Sequence, residues 1–314
     1  MKTKIFIDGK EGTTGIEIFE RLGKRDDIEI LLIDEDKRKD LNERKKFINM
    51  SDITFLCLPD AAAIEAVSLV ENPNTRIIDA STAHRTNPEW DYGFPELSKM
   101  HRENIAKSKR VANPGCYATG FISLVYPLVQ AGVLPEDYPL TAHAVSGYSG
   151  GGKKMIATIE GEDKTFEMAS PRQYALSQSH KHLPEMQKIC GLKYKPMFNP
   201  IVDDYYSGMV VSVPLVSRAL TKNYTPADIH KIMSEHYAGQ HFVKVMELGA
   251  KETLADGFLP ANTLAGTNNL QIFVCGSDDH ILLASRLDNL GKGASGAAVQ
   301  SMNIMMGIDE KTGL

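Results

Sequence analysis

Cysteine is scarce in this chain: four in all, Cys57, Cys116, Cys190 and Cys275, widely spaced and without a C-x-x-C pair. That spacing argues against a disulfide framework and offers no structural zinc site. Long apolar runs are missing as well. No stretch approaches the roughly 20 residues that a membrane span needs, and the opening MKTKIFIDGKEG breaks its short apolar run at Asp8 and Gly9, too soon for the core of a secretion signal. A basic excess is also absent, since the formal net charge is -5 with 42% hydrophobic and 24% charged residues, so nucleic acid is not an expected partner. There is no tandem repeat and no low-complexity tract. What remains is the expectation of a cytoplasmic protein whose 314 residues suffice for two domains with properly buried cores.

The first third alternates between strand and helix. KTKIFIDG reads as a strand that ends in a glycine turn, and GTTGIEIFERLG then spaces Ile16, Phe19 and Leu22 along one helical face. IEILLID, LNERKKFI, DITFLCLPD, AAAIEAVSLVEN and RIIDAS continue the pattern. Such alternation predicts a doubly wound α/β domain, a parallel sheet with helices on both faces. Its first turn carries Gly9, Gly12, Thr13, Thr14 and Gly15. G-x-x-G-x-x-G differs by one residue from the dinucleotide fingerprint but meets the same need, because backbone N–H groups at a helix start approach a pyrophosphate only where side chains are absent. The second strand ends LLIDEDKRKD, where Asp34 suits a ribose 2'-hydroxyl and NAD, while Lys37, Arg38 and Lys39 suit a 2'-phosphate and NADP. A solvated charged face running on to Arg44, Lys45 and Lys46 is an equal reading of those residues.

VANPGCYATG, residues 111–120, then poses a question of its own. Cys57 and Cys275 lie inside apolar strand-like runs and read as buried filler. Cys116 instead follows an Asn-Pro-Gly turn and opens the apolar helical run YATGFISLVYPLVQAG, which places it where unpaired N–H groups and the positive end of the helix dipole lower a thiol pKa. Beyond it the chain becomes strand-rich, with TPADIHKIMSEHY as one clear helix, and predicts an α+β domain on a mixed or antiparallel sheet. GKGASGAAVQSMNIMMG has helical spacing and is expected to return to the first domain, which gives 1–115 with 290–314 as one domain and 116–289 as the other. A base for Cys116 is offered by SHKHLPEM, with His180, His182 and Glu185; Pro184 is expected to stop that element, leaving the group on an extended loop. A Cys–His acid-base arrangement is favoured there over a metal site.

Taken together, NPGCYAT, VSGYSGGGKK, HKHLPEM, DASTAHR, YGFPEL and DNLGKGASGAAVQ resemble the N-acetyl-gamma-glutamyl-phosphate reductase family, in its shorter form, from Gly9 to about Gln300. The wider group, with aspartate-semialdehyde and glyceraldehyde-3-phosphate dehydrogenases, shares the glycine turn and the lone cysteine. The resemblance implies reduction of an acyl phosphate by NADPH to an aldehyde in arginine biosynthesis. Cys116 would form a thioester and His180 would act on its protons. It further implies that Tyr174, His182 and Glu185 line the substrate pocket, with Asn113 as a further substrate-binding candidate. Arg85, the one arginine of its motif at a strand's C-terminal end, itself reads as a bidentate clamp for phosphate, with Arg172 as a rival. Ser81, Ser146, Gly147, Asn289 and Gly291 would join the glycine turn and Arg38 on the cofactor. A homo-oligomer is expected. The same chemistry would serve an aspartyl or a carrier-linked aminoadipyl substrate, and a non-catalytic NADP(H)-sensing regulator would keep the fold alone.

Overall fold

Ile-, Phe- and Val-rich runs alternate with helical segments through the first 115 residues, and the central strands bury both of their faces. The computed structural model describes residues 2–249 and 254–314. It forms β1 (Thr3–Asp8), α1 (Thr13–Leu22), β2 (Ile28–Leu31), α2 (Leu41–Met50), β3 (Ile53–Leu56), α3 (Asp60–Ser68), β4 (Arg76–Asp79), β5 (Asp91–Tyr92), α4 (Lys99–Lys107) and β6 (Arg110–Ala112). Among the described residues these six strands make one parallel sheet in the order β2-β1-β3-β4-β6-β5. Successive side chains leave a strand on opposite faces. Ile5, Ile7, Ile53, Phe55 and Ile78 accordingly pack with Ile18 and Leu22 of α1, while Phe6, Leu56 and Ile77 pack with Ile48 of α2 and Ala63 and Ala66 of α3. This is the doubly wound sheet, with its strand order reversing beside β1.

The next stretch forms α5 (Cys116–Gln130), β7 (Thr141–Gly147), α6 (Gly152–Glu160), β8 (Arg172–Gln173), α7 (Leu183–Cys190), β9 (Met197–Asp203), β10 (Met209–Val216), α8 (Pro226–His236), β11 (Val243–Val245), β12 (Leu270–Gly276) and β13 (His280–Leu287). Its seven-stranded sheet among the described residues runs β11-β12-β13-β10-β7-β9-β8. It is mixed: β7 pairs with β9 and β11 with β12 in parallel, and the other pairs are antiparallel. Helices are more numerous here than the sequence suggests. Beside α8, the glycine-rich GGGKKMIATIE forms α6 and the proline-containing LPEMQKIC forms α7. A π-helical turn at Gly291–Ser295 then leads into α9 (Gly296–Met306), whose Ala298, Val299 and Met302 join the core around Ile5 and Ile18. The chain thus divides into one compact unit of Met1–Gly115 with Ala294–Leu314 and a second of Cys116–Gly293.

Helix α5 carries the second unit. It packs on β10 and β13 with α7 and α8 beside it, and residues 117–128 are all buried. The closest approach is at Gly120, where a Cβ would stand 2.5 Å from Val211 Cγ2 and 2.9 Å from Ser285 Oγ; Ser285 also donates a hydrogen bond to the Gly120 carbonyl oxygen at 3.0 Å. Gly120→Ala is therefore expected to cost about 1–3 kcal/mol through overpacking. Urea unfolding checks this, and an unchanged midpoint would show that α5 can move off the sheet freely.

Candidate active site

The turn between β1 and α1 is made by close backbone packing. Gly9 has φ +86°, and a Cβ on it would stand 2.4 Å from the Cys57 carbonyl oxygen, while a Cβ on Gly15 would stand 2.4 Å from the Gly9 carbonyl oxygen. Both positions require glycine on steric grounds. Gly12 is the N-cap of α1 and Thr13 and Thr14 begin the helix, which has no side-chain cap and no acid in its first turn. The Thr13 hydroxyl oxygen is buried without a hydrogen-bond partner among the described residues. An uncapped helix start beside an unsatisfied hydroxyl fits a pyrophosphate. Next to it, the ends of β1, β2 and β3 wall a cavity of about 530 Å³ lined by Gly9, Ile30, Leu32 and Leu58 together with Glu35, Arg38 and Lys39. These residues fit a nicotinamide dinucleotide, with apolar wall for a purine and cationic side chains beside it.

Two details around that cavity differ from the sequence reading. Asp34 points to solvent and pairs with Lys37 at 3.5 Å; the acids on the cavity wall are Asp8, Glu11, Glu35 and Glu65, of which Glu35 pairs with Arg38 at 3.2 Å. Arg44 is buried rather than solvated. Its Nε and Nη2 both donate to Asp8 Oδ2 at 3.0 Å and its Nη1 donates to Glu65 at 2.9 Å. Burial pushes the Asp8 carboxyl up, with Arg44 acting in the opposite direction. The charged run hides this role because Lys45 and Lys46 beside it are indeed exposed or half-buried, and one helical position in three or four faces inward.

The DASTAHR segment is organised by Asp79, which is fully buried. Its carboxylate accepts from the Ser81 amide at 2.9 Å, from the Ser81 hydroxyl at 2.7 Å, and pairs with His84 Nδ1 at 2.6 Å. His84 in turn stacks on Trp90 at 4.1 Å. That network positions Arg85, whose Nε donates to the Asn113 carbonyl at 2.9 Å and whose Nη2 donates to the Ala80 carbonyl at 3.0 Å. Asn113 donates from Nδ2 to the Ala294 carbonyl at 2.9 Å, and its own Oδ1 is buried without a partner among the described residues. Arg85 and Asn113 are thus brought together in the first unit, and Arg85 ties two loops through their backbones.

In the second unit Cys116 is the first residue of α5, so the helix dipole acts on its thiol. Burial pushes the thiol of Cys190 far up, and burial followed by the charges of Asp79 and Asp8 does the same to Cys57, so neither competes as a nucleophile. Tyr117 is a residue whose importance the sequence conceals. Buried directly after the cysteine, it accepts a hydrogen bond from the Tyr174 hydroxyl at 2.9 Å, and its ring lies 5.7 Å from His180 and 6.0 Å from His182. Burial, then the charges of Tyr174 and Cys116, holds its hydroxyl well above the usual tyrosine range. Burial raises Tyr174 too, with the Cys116 charge adding to it and the bond to Tyr117 opposing. Both phenols therefore stay neutral donors beside Cys116.

The histidine group folds differently from the expectation. Pro184 lies in the first turn of α7, where its missing N–H has no intrahelical partner to lose, so it starts a helix rather than stopping an element. His182 is the N-cap, and Glu185 is buried in the first turn. The two histidine rings meet edge to face at 4.7 Å, and the His182 amide donates to His180 Nδ1 at 3.1 Å. With Nδ1 accepting, that hydrogen bond assigns the proton of the neutral ring to Nε2. Tyr174, His180, His182 and Tyr117 form one aromatic cluster next to Cys116.

Ser146, Gly147, Asn289 and Gly291 are held by internal contacts. A Cβ on Gly147 would stand 2.5 Å from the Tyr206 carbonyl oxygen, and one on Gly291 would stand 2.0 Å from that of Thr267. The Ser146 hydroxyl donates to the Gly147 carbonyl at 3.1 Å. Asn289 accepts from the Gly208 amide at 2.8 Å and donates to Ser149 Oγ at 2.9 Å. This frame delivers Gly293, whose Cβ would stand 2.7 Å from Cys116 Cβ and 3.1 Å from its Cα. Gly293→Ala is therefore expected to push the nucleophile out of place and lower kcat on the order of 10²-fold. Turnover and the alkylation rate of Cys116 should fall together; normal values of both would show that the contact is not needed.

The comparisons with known proteins agree with this geometry. Residues 4–108 match the family described as semialdehyde dehydrogenase, NAD binding domain, and residues 116–289 match semialdehyde dehydrogenase, dimerisation domain. N-acetyl-gamma-glutamyl-phosphate reductase 2 of Nostoc sp. is 48% identical over 320 residues, spanning 100% of this chain and 99% of that protein. N-acetyl-gamma-glutamyl-phosphate reductase of Brucella ovis is 50% identical over 311 residues, spanning 98% and 100%. Among solved structures, aspartate semialdehyde dehydrogenase of Francisella tularensis shares the fold at a TM-score of 0.72 and 15% identity, covering 97% of this chain and 100% of that one. Aspartate semialdehyde dehydrogenase II of Vibrio cholerae, in complex with ASA, does so at 0.70 and 15%, covering 98% of each. With a dinucleotide turn in one unit and a helix-start cysteine beside a histidine and tyrosine cluster in the other, the chain belongs to the N-acetyl-gamma-glutamyl-phosphate reductase family of the semialdehyde dehydrogenases.

Proposed function

We propose that this protein reduces N-acetyl-γ-glutamyl phosphate to N-acetylglutamate 5-semialdehyde and phosphate, with NADPH as its reductant, in the cytoplasm. The observation that carries the reading is Cys116 at the start of α5, directly before Tyr117, whose ring lies 5.7 Å from that of His180. The Cys116 thiolate attacks the γ-acyl carbon, the bond from that carbon to the phosphate oxygen breaks, and the departing phosphate takes a proton from solvent. The thioester so formed is a good hydride acceptor. A bound nicotinamide would supply that hydride, and the residues that would hold the dinucleotide are Gly9, Gly12, Thr13, Thr14, Gly15, Arg38 and Lys39.

His180 contributes as a donor. Its Nε2–H stabilises the thiolate before attack and then the oxyanion of the hemithioacetal, in the manner of an oxyanion-hole donor. Collapse of that oxyanion re-forms the carbonyl and expels the thiolate, so the ring need not give up its proton. Tyr174 and Tyr117, kept neutral by burial, line the same pocket with His182 and Glu185. Arg85 is kept as the proposed clamp for phosphate, although its Nε and Nη2 already donate to the Asn113 and Ala80 carbonyls, and Asn113 as a substrate-binding candidate. For NADP over NAD, the support is that Arg38 and Lys39 line the cavity while Asp34 does not.

We further propose that two copies associate through the sheet face that α5, α7 and α8 leave uncovered, where Met197 is 60% and Leu282 43% exposed. The matched dimerisation family supports this.

In the reverse direction, wild type is expected to reduce NADP+ with N-acetylglutamate semialdehyde only when phosphate is present, and Cys116→Ser to be silent. Turnover without phosphate would refute the thioester route. Arg38→Ala with Lys39→Ala should raise the KM for NADP+ roughly tenfold to a hundredfold, the worth of one or two charge-assisted hydrogen bonds, and leave the KM for NAD+ alone. Equal effects on both cofactors would remove these residues from 2'-phosphate recognition.

A further inference from the structure

The arginines of this fold show what an occupied guanidinium edge looks like. The Nε and Nη2 of Arg44 together hold Asp8 Oδ2, those of Arg25 hold the two oxygens of Asp27, and those of Arg286 hold Gln271 Oε1 at 3.1 and 2.7 Å. In Arg172 the same two nitrogens are buried and have no hydrogen-bond partner among the described residues. They form one straight edge of the planar group, the edge that takes both oxygens of a carboxylate or phosphate in parallel. Buried guanidinium nitrogens left without an acceptor are costly unless an anion completes them.

Its place in the fold says which anion. Arg172 lies on β8, the edge strand of the second sheet, opposite Val202 on β9. Two residues later the Tyr174 amide donates to the Pro200 carbonyl at 3.1 Å, which extends the strand pairing to the tyrosine. Side chains two apart leave a strand on the same face, about 7 Å from one another. Tyr174 is bonded to Tyr117, its ring is 6.0 Å from His180, and it feels the charge of Cys116. The empty edge therefore lies one side chain along from the nucleophile's own cluster. We infer that Arg172 is a substrate-binding residue that receives an oxyanion of the substrate on Nε and Nη2, an assignment that rests on the proposed reductase activity for the identity of that substrate. The acyl phosphate carries two such groups, the carboxylate that persists into the aldehyde and the phosphate that leaves.

Two measurements on Arg172→Met and Arg172→Lys test this. The first is steady-state kinetics in the reverse direction, varying N-acetylglutamate semialdehyde and inorganic phosphate separately. A roughly tenfold to hundredfold rise in the KM for the semialdehyde in Arg172→Met, with phosphate unaffected, supports the site and identifies the carboxylate. The same rise for phosphate alone supports the site and identifies the phosphate. In either case lysine should recover part of the loss.

The second measurement needs no knowledge of the substrate. Iodoacetate and iodoacetamide each alkylate Cys116 with loss of iodide, but only iodoacetate carries a carboxylate. Arg172→Met is expected to slow iodoacetate by tenfold or more and to leave iodoacetamide within twofold. A wild type that does not turn over the semialdehyde would defeat the functional proposal and leave this second comparison to decide on Arg172. Unchanged KM values with an unchanged alkylation ratio would overturn the inference. So would an equal slowing of both reagents accompanied by a lower unfolding midpoint that lysine does not restore, since that pattern marks a structural arginine.

Discussion

The chemistry of the second unit depends on how closely backbone approaches Cys116. Its Cβ lies where a side chain on residue 293 would have to be, so the segment after β13 can press on the nucleophile only because that residue is glycine. The same device is used four residues along α5, where Gly120 lets the helix sink onto Val211 and Ser285. One glycine holds the thiol from the side and the other holds its helix from below. Neither contact is strong in itself. Their value is geometric, because close packing leaves the thiol one position rather than several.

Around that fixed point the unit arranges polar atoms that do not titrate in the working range. The phenols of Tyr117 and Tyr174 are kept neutral by burial, and the helix dipole biases the neighbouring thiol towards its anion. Neutral phenols near a negative sulfur add no second charge to repel it. The first unit handles charge in the opposite manner. Arg44, Asp8 and Glu65 are paired inside it, and Asp79 is surrounded by Ser81 and His84, so that its polar network stiffens loops.

Much of this was legible in the sequence because it rests on local periodicity. Strand and helix alternate as written through residue 79, the glycine turn follows β1, and an Asn-Pro-Gly breaker before an apolar run does place Cys116 at the start of a helix. Features set by contacts distant in the chain were not legible. Pro184 looked like a stop signal because proline ends helices, yet it is equally at home in a helix's first turn, and only the following apolar positions Met186 and Cys190, buried in α7, decide between the two. Arg44 looked solvated because its neighbours are lysines. Its partners Asp8 and Glu65 stand 36 and 21 residues away, beyond the reach of any local pattern. Tyr117 was passed over as part of a hydrophobic run, although a tyrosine buried next to a nucleophile has a hydroxyl that must find a partner.

The hydrogen bond from the His182 amide to His180 Nδ1 has a consequence for how protons move. A histidine that shuttles protons uses one nitrogen as the working atom and anchors the other through its N–H, usually on a carbonyl or carboxylate. Here the anchor is reversed, since the backbone donates and the ring accepts. With Nδ1 accepting, the neutral ring carries its hydrogen on Nε2. A ring so arranged can serve as a donor towards an anion. On the proposed mechanism the dipole of α5 and the hydrogen on Nε2 both favour the anion at Cys116. Thioester reduction suits that arrangement, because the anion on sulfur at the start becomes an anion on oxygen after hydride addition and returns to sulfur when the aldehyde departs. A fixed donor can serve each of these states without changing its own protonation.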